Sequence, residues 1–312
     1  MDLSLIIPLY NEAESLPELK DWIDRSLKDF SYEIWFVDDG STDNSWQVVQ
    51  SLKGPDVHGI RFRRNYGKSA ALYEGFAAAT GDIVVTLDAD LQDSPEEIPE
   101  MVRMIREEGY DLVSGWKQHR QDNAITKNLP SKLYNATARR VTGIQLHDMN
   151  CGLKAYKAEV VKNIEVYGEM HRYIPYLAKN AGYDKIGEKP VHHQKRKYGT
   201  SKFGMSRFMY GMLDLMSLRF LSRFGGNPMH FFGSSGILMF FTGGIITIWI
   251  IVEKLIHQAH GVKFRAVTDQ PLFYLALLAV VLGVMLFLAG FIGELVVRNA
   301  SSRNNYQVKE RI

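Results

Sequence analysis

The sequence predicts an α/β fold, a mostly parallel sheet with helices on both faces, followed by an amphipathic segment and two transmembrane helices. Short apolar runs alternate with helical stretches over the first 116 residues, a pattern typical of a doubly wound sheet. Two stretches without a charged residue, 231–252 and 270–293, lie in the last third of the chain. Each is longer than the roughly 20 residues that a helix needs to cross a bilayer.

Differences in composition along the chain divide it into four parts. We expect a globular domain, a juxtamembrane amphipathic segment, a transmembrane hairpin and a tail, at residues 1–203, 204–228, 229–298 and 299–312. The juxtamembrane segment alternates aromatic, methionine and leucine residues with arginines, a pattern typical of helices at a membrane interface. Two buried helices of a soluble protein are the alternative to the hairpin, but soluble helices of that length normally carry a polar stripe.

Short apolar runs predict the strands of the globular domain, at 3–9, 32–37, 59–63, 83–87, 111–114 and 184–191. Helices are predicted between them, the first ending near residue 27 and the others covering 45–52, 69–79, 95–107, 128–140 and 169–180. Since parallel strands need crossover connections of this length, the alternation favours a parallel sheet.

The stretch after the fourth strand carries the clearest chemical signal. Apolar residues 83–87 run directly into Asp88, Ala89 and Asp90. Because a buried carboxylate without a partner is costly, acids at the tip of a buried strand indicate a cation. Hard divalent ions such as Mg²⁺ or Mn²⁺ accept one or two carboxylates and complete their coordination with water and phosphate oxygens. A solvated acidic turn, or capping of the next helix, is the alternative.

Polar clusters also follow the other predicted strands, namely Asn11-Glu12, Asp38-Asp39 and Asn65-Tyr66-Gly67-Lys68. In open α/β sheets, ligands bind at the carboxyl ends of the strands, so these clusters should meet at one edge. No Gly-x-Gly-x-x-Gly follows the first strand, and no complete Gly-x-x-x-x-Gly-Lys-Ser/Thr phosphate loop occurs. The sequence therefore favours neither a dinucleotide-dependent dehydrogenase nor a P-loop nucleotide hydrolase.

Charge and cysteine content add weaker constraints. The net charge of +2 excludes no class of partner, but basic residues gather at 185–223 and after Arg298. A single cysteine, Cys151, excludes an internal disulfide and fits a reducing compartment. We expect no signal peptide, since Met1-Asp2-Leu3 leads directly into a strand.

Taken together, these clusters resemble the family 2 inverting glycosyltransferases, which have a Rossmann-like GT-A fold. The resemblance is to the polyprenyl-phosphate branch, which includes dolichyl-phosphate mannosyltransferases and undecaprenyl-phosphate glucosyl- and aminoarabinosyltransferases. The stretches that carry the resemblance are 6–12, 37–43, 64–68, 88–95, 148–154 and 196–202. The two apolar spans match as well, so nearly the whole chain is covered.

The resemblance implies an activity and a location. Such an enzyme moves a sugar from a nucleotide donor to undecaprenyl or another polyprenyl phosphate and releases a nucleoside diphosphate. A UDP-sugar, with UDP-glucose as the family-level choice, is favoured over GDP-mannose. The expected partners are the donor, the lipid phosphate and the bilayer, with a homo-oligomer allowed and no nucleic acid. The catalytic domain should be cytoplasmic, on a multi-pass protein of the inner membrane.

Site residues follow from the same resemblance. The implied nucleotide-sugar contacts are Pro8, Tyr10, Glu12, Asp39, Lys68, Asp88 and Ala89. The implied ligands of Mg²⁺ or Mn²⁺ are Asp88, Asp90 and Gln92. Asp90 and Asp148 are the implied catalytic residues, with Asp148 acting on the acceptor as a base or an orienting charge. The candidates for binding the acceptor phosphate are Lys117, Lys127, Ser131, Arg196 and Lys202.

Each of these roles has a simpler structural alternative. Asn11 and Asp43 could cap helices, and Asp148 could cap its own turn. Any of the basic residues could be solvated or bind lipid headgroups. Lys117, Lys127 and Lys154 stand where relatives often carry arginine, which leaves the charge but weakens a bidentate grip on phosphate. We interpret Cys151 as structural, since inverting transfer needs no covalent enzyme intermediate.

Three other functions are compatible with parts of the sequence. A non-catalytic, polyprenyl-lipid-binding scaffold could share the fold, although the acids Asp39, Asp88, Asp90 and Asp148 are all present. A synthase that extends a glycan is disfavoured, because two spans do not easily enclose a polymer channel and no Gln-x-x-Arg-Trp occurs. A metal-dependent nucleotidyltransferase would release pyrophosphate instead of a nucleoside diphosphate.

Overall fold

The computed structural model describes residues 1–118, 135–140, 142–194, 197–198, 220, 224, 227–263, 265–299 and 308–311. The chain forms two compact units. The first comprises Met1–Leu215 together with Arg303–Ile312, and the second comprises Met216–Ser302. The carboxyl-terminal residues thus belong to the same unit as the amino-terminal ones.

The first unit is built on an eight-stranded sheet with the strand order β7-β5-β6-β4-β1-β2-β3-β8. The strands are β1 (Leu3–Leu9), β2 (Tyr32–Asp38), β3 (Val57–Phe62), β4 (Ile83–Thr86), β5 (Leu112–Trp116), β6 (Lys154–Lys157), β7 (Ile186–Pro190) and β8 (Val308–Arg311). The α-helices of this unit are α1 (Leu16–Ser26), α2 (Ser45–Ser51), α3 (Lys68–Ala78), α4 (Ile98–Arg106), α5 (Ala158–Asn163) and α6 (Ile174–Asn180).

The α/β fold class is confirmed, and the sheet is mixed. Strands β1 to β4 pair in parallel, as do β5 and β7. Strand β6 lies antiparallel between β4 and β5, and β8 lies antiparallel beside β3. Neither β6 nor β8 was predicted. Each has only four residues and contains lysine, so neither shows the apolar run that marks the other strands.

Two predicted helices differ from the structure at their starts. Residues 95–107 begin with a 3₁₀ turn at Pro95–Glu97 before α4, and residues 169–180 begin with one at Met170–Tyr173 before α6. A proline in the first turn of each α-helix accounts for the break, since proline cannot continue the hydrogen-bond ladder of a preceding turn. Of the predicted helix 128–140, residues 135–140 are described and are helical.

The core explains why the polar clusters meet at one edge. Most side chains of β1 and β4 are buried, as expected for parallel strands covered on both faces. Helix α1 buries Leu16, Leu19 and Ile23 against this sheet. Helices covering both faces leave the strand ends as the place where polar side chains can gather.

The second unit contains two long apolar helices, α7 (Pro228–Ala259) and α8 (Pro271–Asn299), joined through a 3₁₀ turn at Val267–Asp269. Both are long and apolar enough to cross a membrane, over Pro228–Ala259 and Pro271–Val296. Large apolar side chains cover their outer faces, which distinguishes them from core helices of a soluble protein. Most of the predicted juxtamembrane segment 204–228 lies outside the described residues.

Glycines allow α7 and α8 to approach closely. A Cβ atom on Gly283 would lie 2.6 Å from the backbone nitrogen of Phe240 and 2.7 Å from the carbonyl oxygen of Gly236. Glycines at such positions let helix backbones approach, and the resulting van der Waals contact holds apolar helices together in lipid.

Replacement of Gly283 by valine should loosen the helix pair. We expect Gly283→Val to destabilise the detergent-purified protein by about 1–3 kcal/mol, the usual cost of overpacking. Thermal unfolding in detergent measures the effect. The matched control is Gly244→Val, because a Cβ atom on Gly244 would meet nothing within 4 Å. Equal melting temperatures for the two variants would contradict the packing described here.

Candidate functional site

The loops after β1 and β2 are joined by side chains that bond across them. Asn11 has a φ of 57°, and its Oδ1 accepts hydrogen bonds from the backbone nitrogen of Thr42 at 2.9 Å and of Asp43 at 3.4 Å. In return, the hydroxyl groups of Ser41 and Ser45 accept from the backbone of this loop. Asn11 therefore fixes the neighbouring loop and does not cap α1, whose N-cap residue is Ser15.

Asp39 joins the loop after β2 to the loop after β3. Its two carboxylate oxygens accept from the backbone nitrogens of Tyr66 at 2.7 Å and Gly67 at 2.9 Å. Gly40 has a φ of 73°, and a Cβ atom there would lie 2.6 Å from the carbonyl carbon of Arg64. Burial raises the pKa of Asp39 to about 6, although its two backbone hydrogen bonds act in the opposite direction.

The neighbouring residue, Asp38, is held by contacts within the protein. Its Oδ1 accepts from the backbone nitrogen of Ser41 at 2.8 Å, and its Oδ2 lies 3.3 Å from Nε of Arg61. The carboxylate is fully buried. Asp38 is thus held by contacts within the protein, whereas Asp39 has a raised pKa, a property that accompanies functional groups.

The acids after β4 lie on a tightly turned loop. Asp88 is partly exposed, whereas Ala89 and Asp90 are buried. Asp90 Oδ1 accepts from the backbone nitrogen of Gln92 at 3.2 Å. Leu91, between them, has a φ of 60° and is buried. A left-handed conformation at a non-glycine residue costs free energy and occurs often in ligand-binding loops.

Asp88 contacts two other parts of the chain. The ammonium group of Lys68 donates a hydrogen bond to Asp88 Oδ1. On the other side, a Cβ atom on Gly152 would overlap the Asp88 carboxylate, so a larger residue there would require the Asp88 side chain to move. The Asp88 carboxylate therefore lies between the start of α3 and the turn at 148–154.

The turn at 148–154 is held by β7. Glu188 Oε1 accepts from the backbone nitrogens of His147 at 2.8 Å and Asp148 at 3.0 Å. The ring of His147 stacks on Trp116, with 4.2 Å between centroids. Asp148 is buried, and its Oδ1 accepts from the backbone nitrogen of Asn150 at 3.1 Å, so it does cap its own turn. This hydrogen bond fixes the Asp148 carboxylate in place and does not exclude a further role for it.

Lys154 is a buried lysine near the Asp88 loop. In register it faces Thr86 on β4, two residues before Asp88, and its ammonium group donates to the carbonyl of Cys151. Burial lowers the pKa of Lys154, while the charges of Asp148 and Asp88 act to raise it. Burial also raises the pKa of the Cys151 thiol to about 12, so the thiol is protonated and is no nucleophile at neutral pH.

Lys117 forms a buried ion pair. Its ammonium nitrogen lies 2.7 Å from Asp93 Oδ1, and Nδ1 of His193 lies 3.6 Å from the same oxygen. Burial alone would raise the pKa of Asp93, but Lys117 and His193 hold it well below its usual value. Lys117, an acceptor-phosphate candidate from the sequence, is thus engaged by Asp93 in this structure.

The same region joins the acidic loop to the basic segment that begins at His192. Asp93 and His193 form an isolated antiparallel bridge, and the backbone nitrogen of Gln194 donates to the carbonyl of Gln92 at 2.9 Å. Of the remaining phosphate candidates, Lys127, Ser131, Arg196 and Lys202 lie outside the described residues. Pro8 is in β1, and Tyr10 and Glu12 follow it, all three partly buried at the same sheet edge.

Comparison with known families identifies the first unit. The sequence profile of Glycosyl transferase family 2 matches residues 4–165. This range covers more than half of the chain and includes the loops after β1 to β4 and the turn at 148–154. The chain belongs to glycosyl transferase family 2.

Two curated relatives cover almost all of this glycosyltransferase. Dodecaprenyl-phosphate galacturonate synthase of Rhizobium johnstonii is 32% identical over 304 residues, 96% of this chain and 88% of the relative. Undecaprenyl-phosphate 4-deoxy-4-formamido-L-arabinose transferase of Shewanella sediminis is 37% identical over 325 residues, 99% of this chain and 92% of the relative.

Solved structures share the fold. Glucosyl-3-phosphoglycerate synthase from Mycobacterium tuberculosis, in complex with Mn²⁺, UDP-glucose and glycerol 3-phosphate, has a TM-score of 0.54 at 21% identity and covers 72% of this chain and 80% of its own. Mannosyl-3-phosphoglycerate synthase from Rubrobacter xylanophilus has a TM-score of 0.59 at 16% identity and covers 72% of this chain and 75% of its own. At these identities the comparison shows a GT-A type fold.

The donor atoms after β4 suit a hard divalent cation that is completed by substrate. Within the described part of the glycosyltransferase, no three His, Cys, Asp or Glu side chains converge as a metal site. The carboxylates of Asp88 and Asp90 and the amide of Gln92 could offer only oxygen ligands to such an ion. Mg²⁺ and Mn²⁺ accept such incomplete sets when water and phosphate oxygens fill the remaining positions.

Two residues that were not among the predicted site residues organise the site: Lys154, noted from the sequence only as a position where relatives often carry arginine, and Glu188. The charge of Lys154 is visible in the sequence, but its place near Asp88 depends on β6, which has no apolar run. Glu188 acts on a turn 40 residues away in the chain. A local pattern carries no information on either contact.

Substitution of Lys117 can distinguish a structural role in the ion pair with Asp93 from a role in binding the acceptor phosphate. If the pair is structural, Lys117→Met leaves Asp93 buried without its cation and should cost about 3–5 kcal/mol. The melting temperature of the purified protein measures this loss, and the double variant Lys117→Met/Asp93→Asn should recover part of it. Lys20→Met, which breaks an i,i+4 pair with Asp24, is the control and should cost less than about 1 kcal/mol.

The opposite result has a clear meaning. An unchanged melting temperature for Lys117→Met, together with weaker use of a polyprenyl-phosphate acceptor, would show that Lys117 binds phosphate instead of supporting Asp93.

Proposed function

We propose that the protein is a membrane-anchored inverting glycosyltransferase that transfers a sugar from a nucleotide donor to undecaprenyl or another polyprenyl phosphate. The products are a polyprenyl-phosphate-linked sugar and a nucleoside diphosphate. One observation carries the proposal: the Asp88 carboxylate after β4 lies against Gly152, in the turn that also carries Asp148, at the sheet edge where the Asp39 loop ends. The names of both curated relatives support the lipid-phosphate acceptor.

The residues proposed to bind the nucleotide donor are mainly carboxylates. Asp39 presents a buried carboxylate that can accept hydrogen bonds from ribose hydroxyls or base N–H groups. Pro8, Tyr10 and Glu12 lie at the neighbouring strand end. Asp88, Asp90 and Gln92 would hold Mg²⁺ or Mn²⁺, which would neutralise the leaving diphosphate as a Lewis acid.

The acceptor side needs orientation more than proton removal. A phosphomonoester has a second pKa of about 6, so its oxygen is largely ionised near neutral pH and is already a nucleophile. Asp148, fixed by its own turn and by Glu188, would orient the acceptor or act as a base. Arg196 and Lys202 in the basic segment, with Lys127 and Ser131, would bind the phosphate oxygens.

The identity of the donor sugar is to be found with a panel of nucleotide sugars. A UDP-sugar is our preferred donor. The relatives' names specify galacturonate and 4-deoxy-4-formamido-L-arabinose, so a donor panel should contain both of these as well as UDP-glucose and GDP-mannose.

The proposed location is the cytoplasmic membrane, with the catalytic unit on the cytoplasmic side, where nucleotide sugars are made. The chain leaves the first unit before α7 and rejoins it after α8. Two crossings would return the chain to the side from which it left, which agrees with this arrangement.

A nucleoside-diphosphate release assay tests the proposal. Detergent-purified protein is supplied with Mn²⁺ or Mg²⁺, the donor panel, and undecaprenyl phosphate present or absent. We expect release from one preferred donor only when the lipid is present. Asp90→Asn should lower this release at least about a hundredfold, since Lewis-acid stabilisation of a leaving group is worth several kcal/mol. Asp82→Asn, at the exposed opposite end of β4, is the matched control.

Other outcomes would support the rival functions. Nucleotide binding without release from any donor would favour a lipid-binding scaffold, and release of pyrophosphate would favour a nucleotidyltransferase. Near-normal turnover by Asp90→Asn would contradict the metal assignment alone.

The raised pKa of Asp39 predicts a pH dependence of nucleotide binding. Above pH 6 the carboxylate is ionised and accepts hydrogen bonds; below pH 6 it is protonated and loses acceptor capacity. We expect the affinity for UDP, relative to that of Asp39→Asn, to rise about tenfold between pH 5 and 8, as for a hydrogen bond to a charged group. Calorimetric titration measures both proteins, and the ratio cancels titration of UDP itself. A flat ratio would remove Asp39 from the nucleotide contacts.

A further inference from the structure

The contact between Lys68 and Asp88 places a protein cation where the metal is expected. The Lys68 ammonium group donates to Asp88 Oδ1, and the two side chains are 32% and 33% exposed. Lys68 is the first residue of α3, and the loop before it is fixed by the bonds from Tyr66 and Gly67 to Asp39. The backbone is therefore anchored, while the flexible four-carbon side chain remains partly in solvent.

This ion pair weakens the site for a metal in the free protein. A divalent cation at Asp88 would lie close to the Lys68 ammonium, and like charges at that separation repel. Within the described residues no third carboxylate, histidine or cysteine joins Asp88 and Asp90 to offset the repulsion. In the bare protein, the Asp88 carboxylate is thus already paired with a cation.

A nucleoside diphosphate changes this balance. Its oxygens can accept hydrogen bonds from the Lys68 ammonium and can also complete the coordination of Mg²⁺ or Mn²⁺. We propose that Lys68 is the resident counter-ion of Asp88 and moves to the donor's diphosphate when the metal takes its place. Metal and nucleotide then bind cooperatively, each increasing the affinity for the other by the same factor. The proposal rests on the proposed function in taking Asp88 as a metal ligand and a nucleoside diphosphate as part of the donor.

The two lysines beside Asp88 differ in a way that assigns this exchange to Lys68. Lys154 is fully enclosed and its ammonium group is bound to the carbonyl of Cys151 within its own turn. It is therefore held within the turn at 148–154. Lys68 reaches Asp88 from the solvent side, so it can leave Asp88 without exposing a cavity.

Binding of Mn²⁺, measured by its electron paramagnetic resonance signal, tests the exchange without turnover. The full-length protein in detergent is titrated with Mn²⁺ alone and with UDP or GDP, after correction for the direct Mn²⁺–nucleotide complex. Removal of the competing cation in Lys68→Met should tighten binding of Mn²⁺ alone about fivefold, the scale of a partly exposed ion pair. The gain in Mn²⁺ affinity caused by the nucleotide should fall by at least the same factor.

Two variants control for charge and position. Lys68→Arg keeps the cation and should retain the weak metal binding of the natural protein. Lys157→Met removes an ion pair with Asp111 of similar exposure, 34% at the lysine, and should change neither affinity. If Lys68→Met does not fold, Lys68→Gln offers an uncharged donor to Asp88 and provides the same test.

The outcomes separate this proposal from the function on which it depends. Unchanged binding of Mn²⁺ alone in Lys68→Met, with nucleotide-enhanced binding in the natural protein, would overturn the exchange and leave the metal site in place. No binding of Mn²⁺ in the natural protein, even with nucleotide, would overturn both the exchange and the metal assignment. Neither result depends on which sugar is transferred.

Discussion

The rest of the site is arranged around the carboxylate of Asp88. This carboxylate lies after the buried strand β4, contacts Lys68 from one side and fills the space left by Gly152 on the other. The buried Lys154 pairs in register with Thr86, two residues before Asp88. This arrangement explains why three segments far apart in the chain must fold together: an acid at the end of a buried strand is tolerated only where cations compensate it.

Hydrogen bonds between loops give the site its rigidity. The carboxylate of Asp39 and the amide of Asn11 are each used to hold a neighbouring loop by its backbone, and Glu188 does the same for the turn at Asp148. Bonds of this kind satisfy buried N–H groups that a loop cannot satisfy within itself. The consequence is a site whose backbone is set before any ligand arrives, with long side chains such as Lys68 as its adjustable parts.

The sequence predicted those features that have a local signal. Strands β1 to β4 each combine an apolar run with a polar residue at the end, so both the strands and the edge where Asp39 and Asp88 meet were predicted correctly. Strands β6 and β8 had no such signal, since their identity comes from partners distant in the chain. For the same reason the sequence could not show that Lys117 faces Asp93, because a lysine that binds phosphate and one that supports a buried acid look alike.

Strand β8 has a consequence for the order in which the protein is made. Its backbone completes the sheet beside β3, and Glu310 accepts a hydrogen bond from the indole of Trp46 at 3.0 Å, while Arg311 pairs with Glu74. The ribosome reaches these residues only after both apolar helices have been synthesised. Strand β8 therefore cannot cover the edge of β3 until both apolar helices have been synthesised.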